Sequence, residues 1–187
     1  MDVGRAAELA QEGLDLWQAR RLADAAERYK EALTHADPGH HATPGYHQQL
    51  AGVLTSLGHD SDALDHFRRA LELEQSRGDD AAIPIAMARY FLAEHYAKMQ
   101  QPSAGLEVLE PSLAVSSSVD ALLRMVQAEC RWHLGHIEEA RAAARRAVDG
   151  ATSVDQRGRI EQRLALMLGK GDPKGPRRDD GRDERAG

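Results

Sequence analysis

Nine histidines and a single cysteine are the side chains of this 187-residue chain best suited to metal ligation or nucleophilic chemistry. His133 and His136 stand three apart with Glu139 three further on, while His40, His41 and His47 gather near one connector. Structural zinc wants four ligands in a tetrahedral array, often with cysteines at short spacing, and neither group offers that set. His136 also shares a column with His59 in a repeated segment, so copying accounts for it. These are read as solvated or turn histidines. Cys130 has His133 one helical turn on, but a nucleophile also needs an orienting group and an oxyanion donor. A cysteine in mid-helix is ordinarily a small core residue. No P-loop, G-x-S-x-G or G-x-G-x-x-G occurs in the chain. No catalytic residue, no metal and no cofactor are therefore expected.

The elements that carry these residues are repeated. Arg21–Leu33 (RLADAAERYKEAL) is written again as HDSDALDHFRRAL, QPSAGLEVLEPSL and HIEEARAAARRAV, beginning at His59, Gln101 and His136. Without gaps, the fifth column is always small: Ala25, Ala63, Gly105, Ala140. The ninth is Tyr29, Phe67, Leu109, Ala144, and the twelfth is Ala32, Ala70, Ser112, Ala147. Offsets of four and seven share one face of a helix. Twelve residues before each small anchor stands another, Gly13, Ala51, Ala93 or Ala128, among apolar residues at helical spacing. Each unit is thus a helix pair whose notches permit close crossing, with Gly58, Gln100 or Gly135 at three of the turns.

The anchors are separated by 38, 42 and 35 residues. A helix–turn–helix unit near this period, small and Leu-rich in its first helix and Ala/aromatic in its second, resembles the tetratricopeptide repeat (TPR) family. The resemblance covers roughly residues 6–154. It implies an all-α fold, a right-handed superhelix of antiparallel helix pairs of about nine helices. The repeats fall at about 6–39, 44–77, 86–119 and 121–154, with a capping helix at 154–168, so that the repeat domain spans 1–168. The longer spacings resemble the extended repeats of kinesin light chain.

Local signals mark the boundaries. Thr43-Pro44 reads as an N-cap followed by a first-turn proline. The connector Glu74–Asp80 ends in acidic caps, and Pro84 fits only in the opening turn of the next helix. In the fourth repeat Gln127 and Arg131 sit where apolar residues are due. A rotated helix burying Leu123, Val126 and Cys130 is favoured, because an unpaired buried guanidinium is costly. Ser153 and Gln156 make a capping box before the stripe Ile160, Leu164, Met167 and Leu168. A helix closing the last repeat is what a repeat stack requires. From 169 to 187 the chain is Gly, Pro, Arg and Asp-rich and is expected to be disordered.

The resemblance implies that the first helix of each pair lines a concave groove that binds peptides or helices. The inward residues would be Ala10, Leu14 and Trp17 in repeat one, and Gln48, Gly52 and Thr55 in repeat two. Repeat three would supply Met87, Tyr90, Glu94 and Lys98; repeat four Leu122, Met125, Glu129 and Trp132. The competing expectation for Trp17 and Trp132 is burial against neighbouring repeats. A clamp for a C-terminal carboxylate is not expected, since the chain has no Asn and Lys98 is the only inner cation among these positions. The regular short period of small secretion chaperones does not match gaps of 38 and 42 either.

Composition narrows the partner. Lys plus Arg number 24 against 30 Asp plus Glu, a net charge of −6, which disfavours nucleic acid as a ligand. No secretory leader pattern or membrane-length apolar run is present, and one cysteine forms no internal disulfide, so a cytoplasmic protein is expected. Abundant Arg, scarce Lys and absent Asn suggest a GC-rich bacterial genome. The favoured role is a non-catalytic protein–protein interaction scaffold. The alternative is a self-assembly module forming homo-oligomers through repeat faces or ends.

Overall fold

A computed structural model describes residues 1–78, 81–114 and 118–169. The acidic-cap expectation at Asp79 and Asp80 and the expected disorder from residue 170 onward lie outside the described residues. Among the described residues the chain forms helices α1 Val3–Gln18, α2 Leu22–His35, α3 Thr43–Leu57, α4 Asp60–Gln75 and α5 Ala82–Lys98. These are followed by α6 Pro102–Leu113, α7 Asp120–His133, α8 Ile137–Asp149 and α9 Val154–Arg163. They pack as antiparallel pairs, α1 with α2 through α7 with α8, and each second helix packs on the first helix of the next pair. The architecture is the right-handed TPR-like solenoid.

The turn inside every pair is built alike. Arg20, Gly58, Gln100 and Gly135 each precede the small anchor by five residues and adopt left-handed φ of 63°, 81°, 59° and 79°. The following amide reaches back over the turn in all four: Arg21 to Leu16, His59 to Leu54, Gln101 to Tyr96 and His136 to Arg131, each N–H donating to the carbonyl at 2.9 Å. This is the bond that closes a helix C-terminus through a left-handed residue. Glycine adopts that conformation freely, whereas Arg20 and Gln100 accept roughly 1 kcal/mol of backbone strain. Arg20 is the fourth member of the turn column, hidden because it is not glycine.

The small columns work as notches. Ala25, Ala63 and Ala140 are fully buried, as are Ala51, Ala93 and Ala128. A Cβ on Gly13 would lie 3.1 Å from the Tyr29 ring, so Gly13 admits that ring between α1 and α2. A Cβ on Gly105 would lie 3.0 Å from Cys130 Sγ and 3.2 Å from the Ala93 carbonyl. The core divides into one cluster through repeats one and two that reaches Leu92 and Tyr96 of α5, and another through repeats three, four and α9, with Phe91 and Val108 bordering both.

The fourth repeat buries Leu123, Val126 and Cys130 as expected, without turning Gln127 out to solvent. Gln127 is also inside, accepting a hydrogen bond from Arg124 Nη1 at 3.3 Å, and Arg131 is half-buried. Thr43 corrects the sequence reading. It lies within the first turn of α3 rather than capping it, because its hydroxyl donates to the Asp37 carbonyl at 2.6 Å and ties down the connector. Pro84 does sit in the opening turn of α5.

Ser153 caps α9, accepting from the Gln156 amide at 3.1 Å. Gln156 returns its carbonyl to the Thr152 amide and hydroxyl, one residue before the cap. Regular helix ends at Arg163, earlier than the expected 168, yet Ile160, Leu164 and Met167 all enter the core. That apolar stripe holds α9 against repeats three and four, which puts Arg163 on the inner face.

Candidate functional site: the inner face

The inner face carries a hollow of about 650 Å³ at the C-terminal ends of α3, α5 and α7. Gly52 and Thr55 form one wall, Phe91, Glu94 and Lys98 the middle, and Glu129 with His133 the far side. His95 closes the floor. It is buried, its Nε2 bonds the Asp60 carbonyl at 2.8 Å, and its Nδ1 meets the Thr55 hydroxyl at 3.2 Å. With Nε2–H donating to a carbonyl, Nδ1 is left to accept from Thr55. Lys98 adds a second tie to the same corner, donating to the Thr55 carbonyl at 3.0 Å and lying 3.4 Å from Asp60 Oδ1. Repeats two and three are thereby fastened along the groove floor.

Arg163 reaches into this face from α9. Its Nε and Nη2 hold the two oxygens of Glu129 at 2.6 and 2.8 Å, and its Nη1 holds Glu94 Oε1 at 2.6 Å. Burial by itself would lower the basicity of the guanidinium. The hydrogen bonds and charges of Glu129, then of Glu94, outweigh burial and raise it. A planar fork on one carboxylate with a third bond to another fixes three helices, α5, α7 and α9, in register.

Arg163 also borders a second hollow of about 630 Å³ on its other side. There Tyr90, Leu122 and Met125 lie beneath Ile160, Gln156 and Arg159 of α9. The Tyr90 phenol is pushed up to about 12 by burial and by Glu94, partly offset by Arg163.

The residues expected to face a partner fall into distinct settings. Thr55, Glu94, Lys98 and Glu129 meet at the first hollow; Tyr90 and Met125 meet at the second. The rim of the Trp17 ring packs against α3, since a Cβ on Gly52 would come within 2.8 Å of its Cη2. Trp17, Trp132 and Met87 are partly buried, each packed on a core cluster. Leu14 and Gln48 are half-buried on α1 and α3. Spacing alone did not show Phe91, His95, His133, Arg159 or Arg163 at the inner face. Arg163 lies three residues after Ile160 and seven after Gln156, a helical face readable only once α9 is placed beside the groove.

The nucleophile and metal candidates take structural places. Cys130 is fully buried against Gly105, and burial, with Glu129 next, pushes its thiol up to about 12. His47 and His66 face each other between α3 and α4, Nδ1 to Nδ1 at 2.9 Å. The His40 and His41 rings touch at a tilt of 44°, with centroids 4.2 Å apart. Among the described residues no three His, Cys, Asp or Glu side chains converge, and no helix is long and apolar enough to cross a membrane.

No protein-family model matches the sequence and no curated protein matches it. Solved structures do. A putative kinesin light chain from Podospora anserina, described as having nearly identical TPR-like repeats, superposes with a TM-score of 0.71 at 14% identity, covering 90% of this chain and 87% of that one. MamA 41-end from Desulfovibrio magneticus RS-1 superposes with a TM-score of 0.63 at 18% identity, covering 89% and 95%. A MamA RS-1 double mutant gives the same TM-score and identity over 89% and 87%. At these identities the likeness is one of fold, and together with the four copied turns and notches it establishes that the chain has the tetratricopeptide-like α-solenoid fold.

Proposed function

We propose that the protein is a non-catalytic interaction scaffold that holds a peptide or helix of a partner protein in its concave groove. The observation that carries this reading is the hollow of about 650 Å³ at the inner ends of three successive first helices. Its size suits a few bulky side chains, and it mixes the Phe91 ring with charged and hydroxyl groups that can orient a ligand. A partner needs no chemistry from this chain. The buried, weakly acidic Cys130 and the structural settings of His47, His66 and His95 support that part of the reading. The overall negative charge favours protein over nucleic acid, and the reading places the protein in the cytoplasm.

Affinity capture from the native host tests it. Wild type should retain a partner that a His133→Glu variant loses, while both melt at similar temperatures because the His133 side chain is exposed. Equal capture by the two would refute groove binding. Light scattering over a dilution series that shows mass rising with concentration, with no other protein retained, would favour self-assembly instead.

A further inference from the structure

The hollow between α9, the middle of α5 and the first two turns of α7 has a composition unlike the rest of this acidic chain. Its floor is apolar: Tyr90, Leu122, Met125 and Ile160. Its charged lining consists of Arg159 and Arg163, with no carboxylate. Arg163 is committed to Glu94 and Glu129. Arg159, one helical turn before it, is exposed and forms no hydrogen bond or ion pair among the described residues. Ser153 stands on the same wall at the positive end of the α9 dipole. Its hydroxyl oxygen accepts from Gln156, which leaves the hydroxyl proton to donate.

We infer that this hollow is the part of the groove that reads partner identity, and that it takes an acidic amphipathic segment: a bulky apolar side chain on the Tyr90–Met125–Ile160 floor with an Asp or Glu one helical turn away on Arg159. The inference rests on the groove reading above and adds the chemistry of the ligand. Complementarity of charge supports it. A guanidinium with no partner among the described residues, beside an apolar floor, binds a carboxylate bidentately, and the low-dielectric floor strengthens that bond. A basic segment would instead place its cations against Arg159, which disfavours the wrong partner by repulsion. The volume, about 630 Å³, admits such a pair of side chains without displacing α9.

A phage-displayed library of random dodecapeptides, panned on the full chain, supplies the probe. Selected peptides are then labelled and titrated by fluorescence polarisation into wild type, Arg159→Glu and Lys98→Glu proteins, each checked by thermal melting. The expected result is enrichment of Asp or Glu three or four positions from Leu, Ile or Phe. Affinity should fall about tenfold or more on Arg159→Glu and by a smaller factor on Lys98→Glu, with weaker binding at high salt. Peptides that bind Arg159→Glu as well as wild type but lose Lys98→Glu would overturn this inference while leaving the groove reading intact. Failure of the full chain to select any peptide would overturn both.

Discussion

Arg163 on α9 grips Glu129 on α7 through a two-bond fork, Nε to Oε1 at 2.6 Å and Nη2 to Oε2 at 2.8 Å, and the same guanidinium reaches Glu94 on α5. The three groups are 17–37% exposed, so the network is neither fully screened nor fully desolvated. A double-mutant cycle on Arg163→Ala and Glu129→Ala should give a coupling energy of about 1–3 kcal/mol, above that of an exposed pair. Additive effects in thermal or urea unfolding would mean that the fork holds nothing together.

Gly52 and Trp17 should be coupled through shape. A Cβ added at Gly52 would stand only 2.8 Å from the Trp17 ring, so Gly52→Ala must push the indole off α3. The expected loss is about 1–3 kcal/mol in chemical unfolding, despite the higher helix propensity of alanine. Restoring room with Trp17→Leu should make the alanine nearly neutral. An unchanged or increased stability in Gly52→Ala alone would place Trp17 elsewhere.

Tyr29 offers a prediction of opposite sign. Its ring fills the notch at Gly13, but its hydroxyl is buried without a hydrogen-bond partner among the described residues. Burial and the nearby Asp15 push it up to about 12. Removing an unsatisfied buried hydroxyl while keeping the ring should stabilise, so Tyr29→Phe is expected to gain on the order of 1 kcal/mol. A destabilised Tyr29→Phe in calorimetry would show that the hydroxyl is bonded.

The His47–His66 contact makes stability depend on pH. Burial, then His66 and Arg69, lowers His47 to about 4. Burial also lowers His66, against the pull of Asp65 and Asp62 and with the help of Lys30. Folded-state values below the ordinary 6.5 mean that the unfolded chain binds these protons first. The contribution is therefore complete above pH 6.5 and is lost as pH falls from there toward 4. The melting temperature should drop between about pH 7 and about pH 5, and a His47→Gln, His66→Gln variant should show a smaller drop. An equal drop in both proteins would assign the acid sensitivity to other groups.

The repeat scaffold was legible because it is written four times. Gly58, Gln100 and Gly135 marked three turns, and the small columns named the notches that the structure fills with Tyr29 and Cys130. Arg20 escaped because sequence signals for left-handed turns look for glycine, while backbone bonds from Arg20 to Trp17 and from Arg21 to Leu16 close this turn over an exposed arginine. The inner-face residues were only partly legible. Helical spacing groups Glu94, Lys98 and Glu129, which line one hollow, but the same spacing does not tell an open aromatic from one packed on a neighbour, as Trp17 is on Gly52. Arg163 was invisible as a groove residue because its meaning depends on where α9 comes to rest. Pair contacts across 34 and 69 residues leave no local pattern.

The central claim is that the inner face, rather than the outer helices or the array ends, holds the partner. Hydrogen–deuterium exchange of the full chain, with and without the captured partner, tests it most directly. Added protection should fall on 52–55, 90–98, 122–133 and 153–163. Protection confined to α2, α4, α6 and α8, or to the first helix and its contacts with a second copy of the chain, would contradict the account.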